Sequence, residues 1–286
     1  MKYSLVQFNK RFPDNDTCLE AIKQLRFPHG IECEICDKVT NHYKVTGRTS
    51  YACASCGSHV YPLANTIFEH SSTPLTLWFF AMYLMSQTRT GISAKQLERM
   101  LGVTYKTAWR MFRQIRMIMK ENLDPFTGIV EVDESYFGGK GVNRAYEWRA
   151  DKKKEVIMGM VQRNGKAYMK HIDSANKETL VKLIKENIDS KAHIMTDEHP
   201  AYKNLYQEGY FNHHTVNHAA KEYVRKQLFH TNSVEGLWGR IKPAIKGVYR
   251  KVSGKYIESY MDEYCFRYNN RKTPDQMFDL LLAQVA

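Results

Sequence analysis

Three acids and two pairs of cysteines are the residues of this chain whose type and spacing can do chemistry. Asp133 follows a short apolar run in Val130-Glu-Val-Asp-Glu-Ser-Tyr, and Asp197 follows another in His193-Ile-Met-Thr-Asp-Glu-His. A carboxylate at the end of a strand is held rigidly, and two of them together suit Mg²⁺, a hard cation that takes oxygen ligands. If the two strands are parallel neighbours, both carboxylates reach one edge of the sheet. A third acid is expected from a helix. His230-Thr-Asn-Ser-Val-Glu-Gly-Leu-Trp-Gly-Arg-Ile-Lys offers Glu235, with Lys242 seven positions later on the same helical face. Pro243 disfavours helical geometry at Lys242, so the helix is expected to end or kink there.

Each acid also has an ordinary use. Asp133 can close a strand-end turn, and Asp197 can cap a helix begun near Pro200. Glu235 can complete a capping box with Asn232. Glu131, Glu134 and Glu198 leave the assignment open by a residue or two.

Cys33-x-x-Cys36 and Cys53-x-x-Cys56 are separated by sixteen residues. Each CxxC turn sets two thiolates on one side, and two turns complete a tetrahedral site of the zinc-ribbon kind. Gly57 supplies positive φ after the second turn. Four thiolates leave no open coordination position, so this Zn²⁺ is structural. Cys18 and Cys265 fit no such spacing and read as buried thiols. His213, His214 and His218 suggest another metal site, yet a structural or nucleic-acid-facing role suits them better, because the acids already offer a hard ion its site.

These residues need elements to hold them. The 286 residues allow two or three domains, and 43% hydrophobic residues allow a real core. Residues 1–25 carry the pattern Cys18, Leu19, Ala21, Ile22 and Leu25, which suggests a short helix, and 26–66 have the turn-rich texture of a small β module. Residues 74–121 read as helices, and Leu-Asp-Pro-Phe-Thr-Gly (123–128) breaks them, marking a boundary. Beyond it come strands Ile129–Val132, Glu155–Val161 and Lys166–Ile172. A helix follows over Lys177–Asn187, then a strand over Ala192–Thr196, a helix over Pro200–Tyr206 and a strand over His214–Val216. Helix prevails from Asn232 onward. The pattern predicts a mixed α/β core. The expected domains are 1–70 (N-terminal helix and zinc ribbon), 71–123 (helical segment) and 128–286 (α/β domain).

The helical segment carries its own signal. Ala94, Leu97 and Leu101 give one apolar face, Gly102 a tight turn, and Thr104 a cap for a second helix whose Ala108, Trp109 and Phe112 face inward. Tyr105, Lys106, Arg110 and Arg113 then point outward. Residues 89–120 hold eight Lys/Arg and one Glu. Such a helix-turn-helix with a basic face suits DNA phosphates, and a helical hairpin with a solvated basic face is its ordinary alternative. The formal charge of +12 agrees with an anionic partner but does not choose among DNA, RNA and an anionic membrane. No apolar stretch spans a bilayer and the N-terminus lacks a signal-peptide core, so a cytoplasmic, nucleoid-associated protein with reduced thiols is expected.

Together these features resemble a family. Zinc ribbon, helix-turn-helix and RNase H-like domain, in that order, are similar to certain insertion-sequence transposases of the DDE superfamily. The resemblance is carried by Phe68-Glu-His-Ser-Ser-Thr-Pro-Leu, Gly91–Arg116, Val130–Gly139, Thr196-Asp-Glu, His230–Lys242 and Phe266-Arg-Tyr-Asn-Asn-Arg271. It implies that Asp133, Asp197 and Glu235 hold two Mg²⁺ or Mn²⁺ ions, and that Lys242 is the basic residue following the third acid. It implies cleavage at transposon ends, then attack of the freed 3′-hydroxyl on target DNA, by a multimer on DNA. Tyr136 and Tyr202 then read as packing or DNA contacts. Residues 240–272 hold nine Lys/Arg and three acids, interleaved with tyrosines whose helical spacing also suits a core. The rivals are a zinc-ribbon regulator that binds DNA without cutting it, and a nuclease that cuts without joining. A regulator leaves the roughly 160 residues after the boundary unexplained, more than a dimerisation domain usually needs.

Overall fold

The computed structural model describes residues 3–138, 154–216 and 230–285. The chain divides into two compact units, one of residues 1–118 and 272–286, the other of residues 119–271.

The first unit is organised by aromatic residues. Helices α1 (Leu5–Arg11) and α2 (Asn15–Arg26) start at the side-chain caps Ser4 and Asp14. Helix α3 (Leu75–Gln87) carries no charged residue and is buried on several sides, from Trp78 and Phe79 to Met82 and Met85. The C-terminal helix, α9 (Met277–Ala283), belongs to this unit. Its Phe278 lies 5.6 Å, ring to ring, from both Phe8 and Phe12 and 6.0 Å from Phe79. The expected α/β domain therefore does not run to residue 286. An aromatic ring buried among other rings gains more than chain adjacency can offer it, and that gain recruits the tail to the other unit.

Between α2 and α3 come five short strands in two sheets. Strands β1 (Ile31–Cys33) and β2 (Lys38–Thr40) form a hairpin, while β3 (His42–Lys44), β4 (Tyr51–Cys53) and β5 (His59–Val60) form an antiparallel sheet. After α3 come α4 (Ala94–Leu101) and α5 (Tyr105–Met117). Ser93 caps α4, Gly102 ends it with φ 65°, and the Thr104 side chain caps α5. Ala94, Leu97, Leu101, Ala108 and Phe112 are buried and Trp109 is half-buried; Tyr105, Lys106, Arg110 and Arg113 are exposed.

The second unit is built on one five-stranded sheet. Strands β6 (Ile129–Phe137), β7 (Glu155–Gln162) and β8 (Ala167–Ile172) form an antiparallel meander. Strand β9 (His193–Thr196) then pairs parallel with β6, and β10 (His213–Thr215) parallel with β9. The spatial order is β10-β9-β6-β7-β8, which resembles the RNase H-like arrangement. The pairing of β6 with β9 is the return that a helical crossover permits, and α6 (Lys177–Asn187) makes it. Val130, Val132, Met158 and Met160 pack with Leu180 and Ile184 of α6 in one buried cluster. Helix α7 (Asn232–Ala244) takes the opposite face of β6, and α8 (Gly254–Asn269) lies along β8. The segment after β9 makes only a 3₁₀ turn over Pro200–Tyr202 instead of the helix expected to Tyr206.

Candidate functional site

The two cysteine pairs come together. Each CxxC closes a tight turn, with the Asp37 amide donating to the Cys33 carbonyl at 2.8 Å and the Gly57 amide to the Cys53 carbonyl at 2.9 Å. The residue after each turn is left-handed, φ 50° at Asp37 and 75° at Gly57. The four sulfurs all lie within 4.8 Å of one another, an arrangement of the size a tetrahedral zinc site requires. Contacts beyond the sulfurs orient them: Thr40 Oγ1 is 3.2 Å from Cys53 Sγ, and Ser58 Oγ is 3.1 Å from both Cys33 and Cys56 Sγ. The Thr40 hydroxyl and nearby amides push the Cys53 thiol down to about 5, whereas hydrogen bonding to Cys56 pushes Cys36 up to about 12. Crowded sulfurs cannot all ionise without a cation among them. Cys18 and Cys265 are buried elsewhere.

The carboxylates are set by the sheet. Asp133 does not end its strand, as expected from the apolar run; β6 continues to Phe137 because β7 pairs with it at eight positions. Ile129 pairs with His193 and Glu131 with Met195. Carried two residues further, the same offset sets Asp133 level with Asp197 on adjacent parallel chains. Asp133 is largely buried and its carboxyl is pushed up to about 7, first by burial, then by the charges of Glu134 and Asp197. A carboxyl so placed lacks a counter-charge, which is what a cation would supply. Asp197 accepts the His199 amide at 3.0 Å, so part of its turn-forming alternative is realised. The side chain that caps the 3₁₀ turn is that of His199.

Glu235 lies on the first turn of α7. The capping box foreseen as its alternative does not form: the helix is capped at Thr231, not Asn232, and the cap residue's own side chain accepts no amide. Glu235 instead accepts the Thr231 hydroxyl at 2.6 Å. Three residues on, Trp238 Nε1 donates to Asp133 Oδ2 at 2.9 Å. The Trp238 ring covers Gly159, the partner of Asp133 on β7; a Cβ there would stand 2.5 Å from Trp238 Cζ2. Lys242 is exposed on the same stripe of α7, and Pro243 does not end the helix before it. The irregularity comes just after, as a π-helical turn over Ile245–Tyr249. Among the described residues, the cysteines alone gather three or more potential ligand groups within 4.8 Å. Asp133 feels the charge of Asp197, whereas Glu235 is exposed on α7, and the three acids do not gather at ligand distance. Like charges with no ion between them repel.

Neighbours of the acids complete the surroundings. Tyr202 is buried and donates to Glu134 Oε2 at 2.7 Å, which explains why a second acid is tolerated beside Asp133. Tyr136 is exposed. Trp238 and Gly159 could have been found only by knowing that α7 crosses β7. His213 hydrogen-bonds Thr196 at 2.9 Å and burial pushes it down to about 4, so it stays neutral. His214 stacks on His193, and His218 and Gly139 lie outside the described residues. In α8, Tyr260 and Tyr264 are buried, so those tyrosines serve the core.

A mixed five-stranded sheet with Asp133 in β6 and Asp197 just after the parallel β9, preceded by a four-cysteine module, defines a zinc-ribbon protein with an RNase H-like α/β domain. The chain belongs to the transposase family described as the ISXO2-like transposase domain, which matches residues 125–269, and a transposase zinc-ribbon domain matches residues 13–59. It is 26% identical over 244 residues to an uncharacterized protein in transposable element ISH50 of Halobacterium salinarum, covering 79% of this chain and 81% of that one. Among solved structures it is similar to a chain of a simian T-cell lymphotropic virus intasome in complex with PP2A regulatory subunit B56 gamma, at TM-score 0.32, 15% identity and 65% of each chain. It is also similar to Mos1 transposase in a paired-end complex with the left transposon end, at TM-score 0.27 and 11% identity, over 72% of this chain and 78% of that one. Among the described residues, no helix is long and apolar enough to cross a membrane.

Proposed function

We propose that this protein is a DDE-type DNA transposase that cuts at the ends of its element and joins them to target DNA. The observation that supports this reading is the parallel pairing of β6 with β9, with Asp133 close enough to Asp197 to feel its charge; α7, whose Trp238 donates to Asp133, carries Glu235 on its first turn. These three acids would hold Mg²⁺ or Mn²⁺, which when bound would supply the positive charge that activates an attacking oxygen and stabilises a leaving one. The protein's own groups then have distinct tasks. Trp238 fixes the rotamer of Asp133 through its indole N–H. Lys242, two turns along α7 from Glu235, neutralises a phosphate of the DNA end. Water attack releases a 3′-hydroxyl, and that hydroxyl attacks the target in the same site.

We further propose that α4 and α5 act as a helix-turn-helix, with Lys106, Arg110 and Arg113 on DNA phosphates. Their exposure supports this, although Arg110 also donates to the Glu69 carbonyl at 3.0 Å. The working division is then a zinc-ribbon module (1–70), a DNA-binding segment (71–123) and a catalytic domain from 128, the tail after 271 excepted. Synapsis of two ends calls for a multimer on DNA, acting in the cytoplasm. The test is to incubate protein and Mg²⁺ or Mn²⁺ with labelled DNA carrying the element's terminal repeats and a plasmid target. Joined products are expected from the wild type and not from Asp133→Asn or Asp197→Asn. Binding without cleavage would establish a regulator instead, and cleavage without joining a nuclease.

A further inference from the structure

Glu131 is wholly buried, yet it is a carboxylate. It sits two residues before Asp133 on β6, and so on the same face of the strand. Its two oxygens are surrounded by donors from α7. The Ser233 amide donates to Oε2 at 2.6 Å and the Val234 amide to Oε2 at 3.1 Å, while the Ser233 hydroxyl donates to Oε1 at 3.0 Å. Arg163 Nε donates to Oε1 at 2.6 Å, and His230 Nδ1 lies 3.2 Å from Oε1. The same guanidinium reaches the His230 carbonyl with NH2 at 2.8 Å.

This is the missing cap of α7. The helix has no side-chain cap of its own, and its first-turn amides are satisfied from another element. Burying a carboxylate is costly unless it is paired and fully hydrogen-bonded. A nearby Ser or Asn could have capped the helix without that cost, so a buried charge reached across from β6 does something a local cap cannot: it ties the helix to the strand.

The two ties define where Glu235 stands. Ser233 and Val234 are held by Glu131, and Trp238 is held by Asp133. Along β6 the anchors are two residues apart, about 7 Å. Along α7 they are four to five residues apart, about 6–7.5 Å. The spans match, so helix and strand run side by side with both ties made. Glu235 lies between the anchors, and three residues before Trp238 it stands about 60° around the helix from it.

We propose that Glu131, with Arg163, is a positioning residue that sets α7 in register on β6 and thereby places Glu235 beside Asp133. This rests on the transposase reading, in which these acids hold the metal ions. Groups that orient ligands from behind typically contribute 10–100-fold in metal affinity or activity.

The test is Mn²⁺ binding, read as free Mn²⁺ by electron paramagnetic resonance, on full-length wild type, E131Q, D133N and R163Q, with hydrogen exchange followed at the Ser233 and Val234 amides. The E131Q substitution keeps the side chain's shape but loses the charge and one acceptor. Mn²⁺ binding is expected to weaken 10–100-fold in E131Q, with faster exchange at both amides and with zinc content and DNA-end binding unchanged. Arg163→Gln, at a partly exposed side chain, gives the same direction to a smaller degree and serves if E131Q does not fold. Wild-type Mn²⁺ affinity in a folded E131Q, with D133N weakened, would overturn the positioning role and leave the transposase reading standing. Equal Mn²⁺ binding in wild type and D133N would overturn both.

Discussion

Replacing Asp133 with Asn is expected to make the protein more stable in the absence of Mg²⁺ while abolishing strand joining. The native carboxyl holds its proton up to about 7, against 3.8 for an ordinary aspartate. The native state therefore binds more protons than the unfolded state between those values, and stability falls as pH rises through that window. The full difference corresponds to about 4 kcal/mol. By the same relation about 2 kcal/mol has already been lost at pH 5.5, and nearly all of it at pH 8. Asn carries no charge and still accepts the Trp238 indole, so it removes the loss and keeps the contact. Glu134 and Asp262 also have raised carboxyl values, the latter about 6, and add to the wild-type pH slope. The difference between the two proteins cancels the share of Asp262, while Glu134, beside Asp133, shifts with it and belongs to the same difference. The assay is thermal unfolding from pH 5.5 to 8 in buffer free of Mg²⁺ but without a chelator, so that zinc stays in place. The advantage of D133N should grow by about 2 kcal/mol across that range, reaching a shift of roughly 10 °C at pH 8 for a unit of this size. Added Mg²⁺ should narrow the gap by stabilising the wild type alone. An advantage that is absent, or constant with pH, would refute the account of Asp133 as a buried acid awaiting a cation.

Three further outcomes are expected. Gly159→Ala puts a methyl into the Trp238 ring, so it should cost about 1–3 kcal/mol as overpacking and lower strand joining, read by denaturant unfolding and the joining assay. Cys36→Ser should leave the purified chain without stoichiometric zinc and expose residues 13–59 to protease, because a module of this size depends on its metal; zinc retention by folded C36S would sink the four-thiolate site. Lys106→Ala should weaken binding to all DNA sequences alike and reduce the slope of log affinity against log salt by about one, whereas a change in sequence preference alone would contradict a phosphate contact.

What the sequence determined about this protein was local. The CxxC spacing fixed the zinc module because the chemistry lies within two turns, and Thr104 and Gly102 bounded their helices because caps act within a few residues. The aspartates were legible as acids beside apolar strands. Only the tertiary structure decided what lay beside them. The level placement of Asp133 and Asp197 comes from strands 64 residues apart in number pairing in parallel. The cap of α7 comes from Glu131, about a hundred residues away and read from sequence as a mere neighbour of Asp133. Phe278 drew the tail into the first unit through rings that no periodicity links to it. The physical reason is common to all three. Spacing encodes which groups a short segment can bring to one side, but a buried charge or ring is stabilised by whichever partners the fold brings to it.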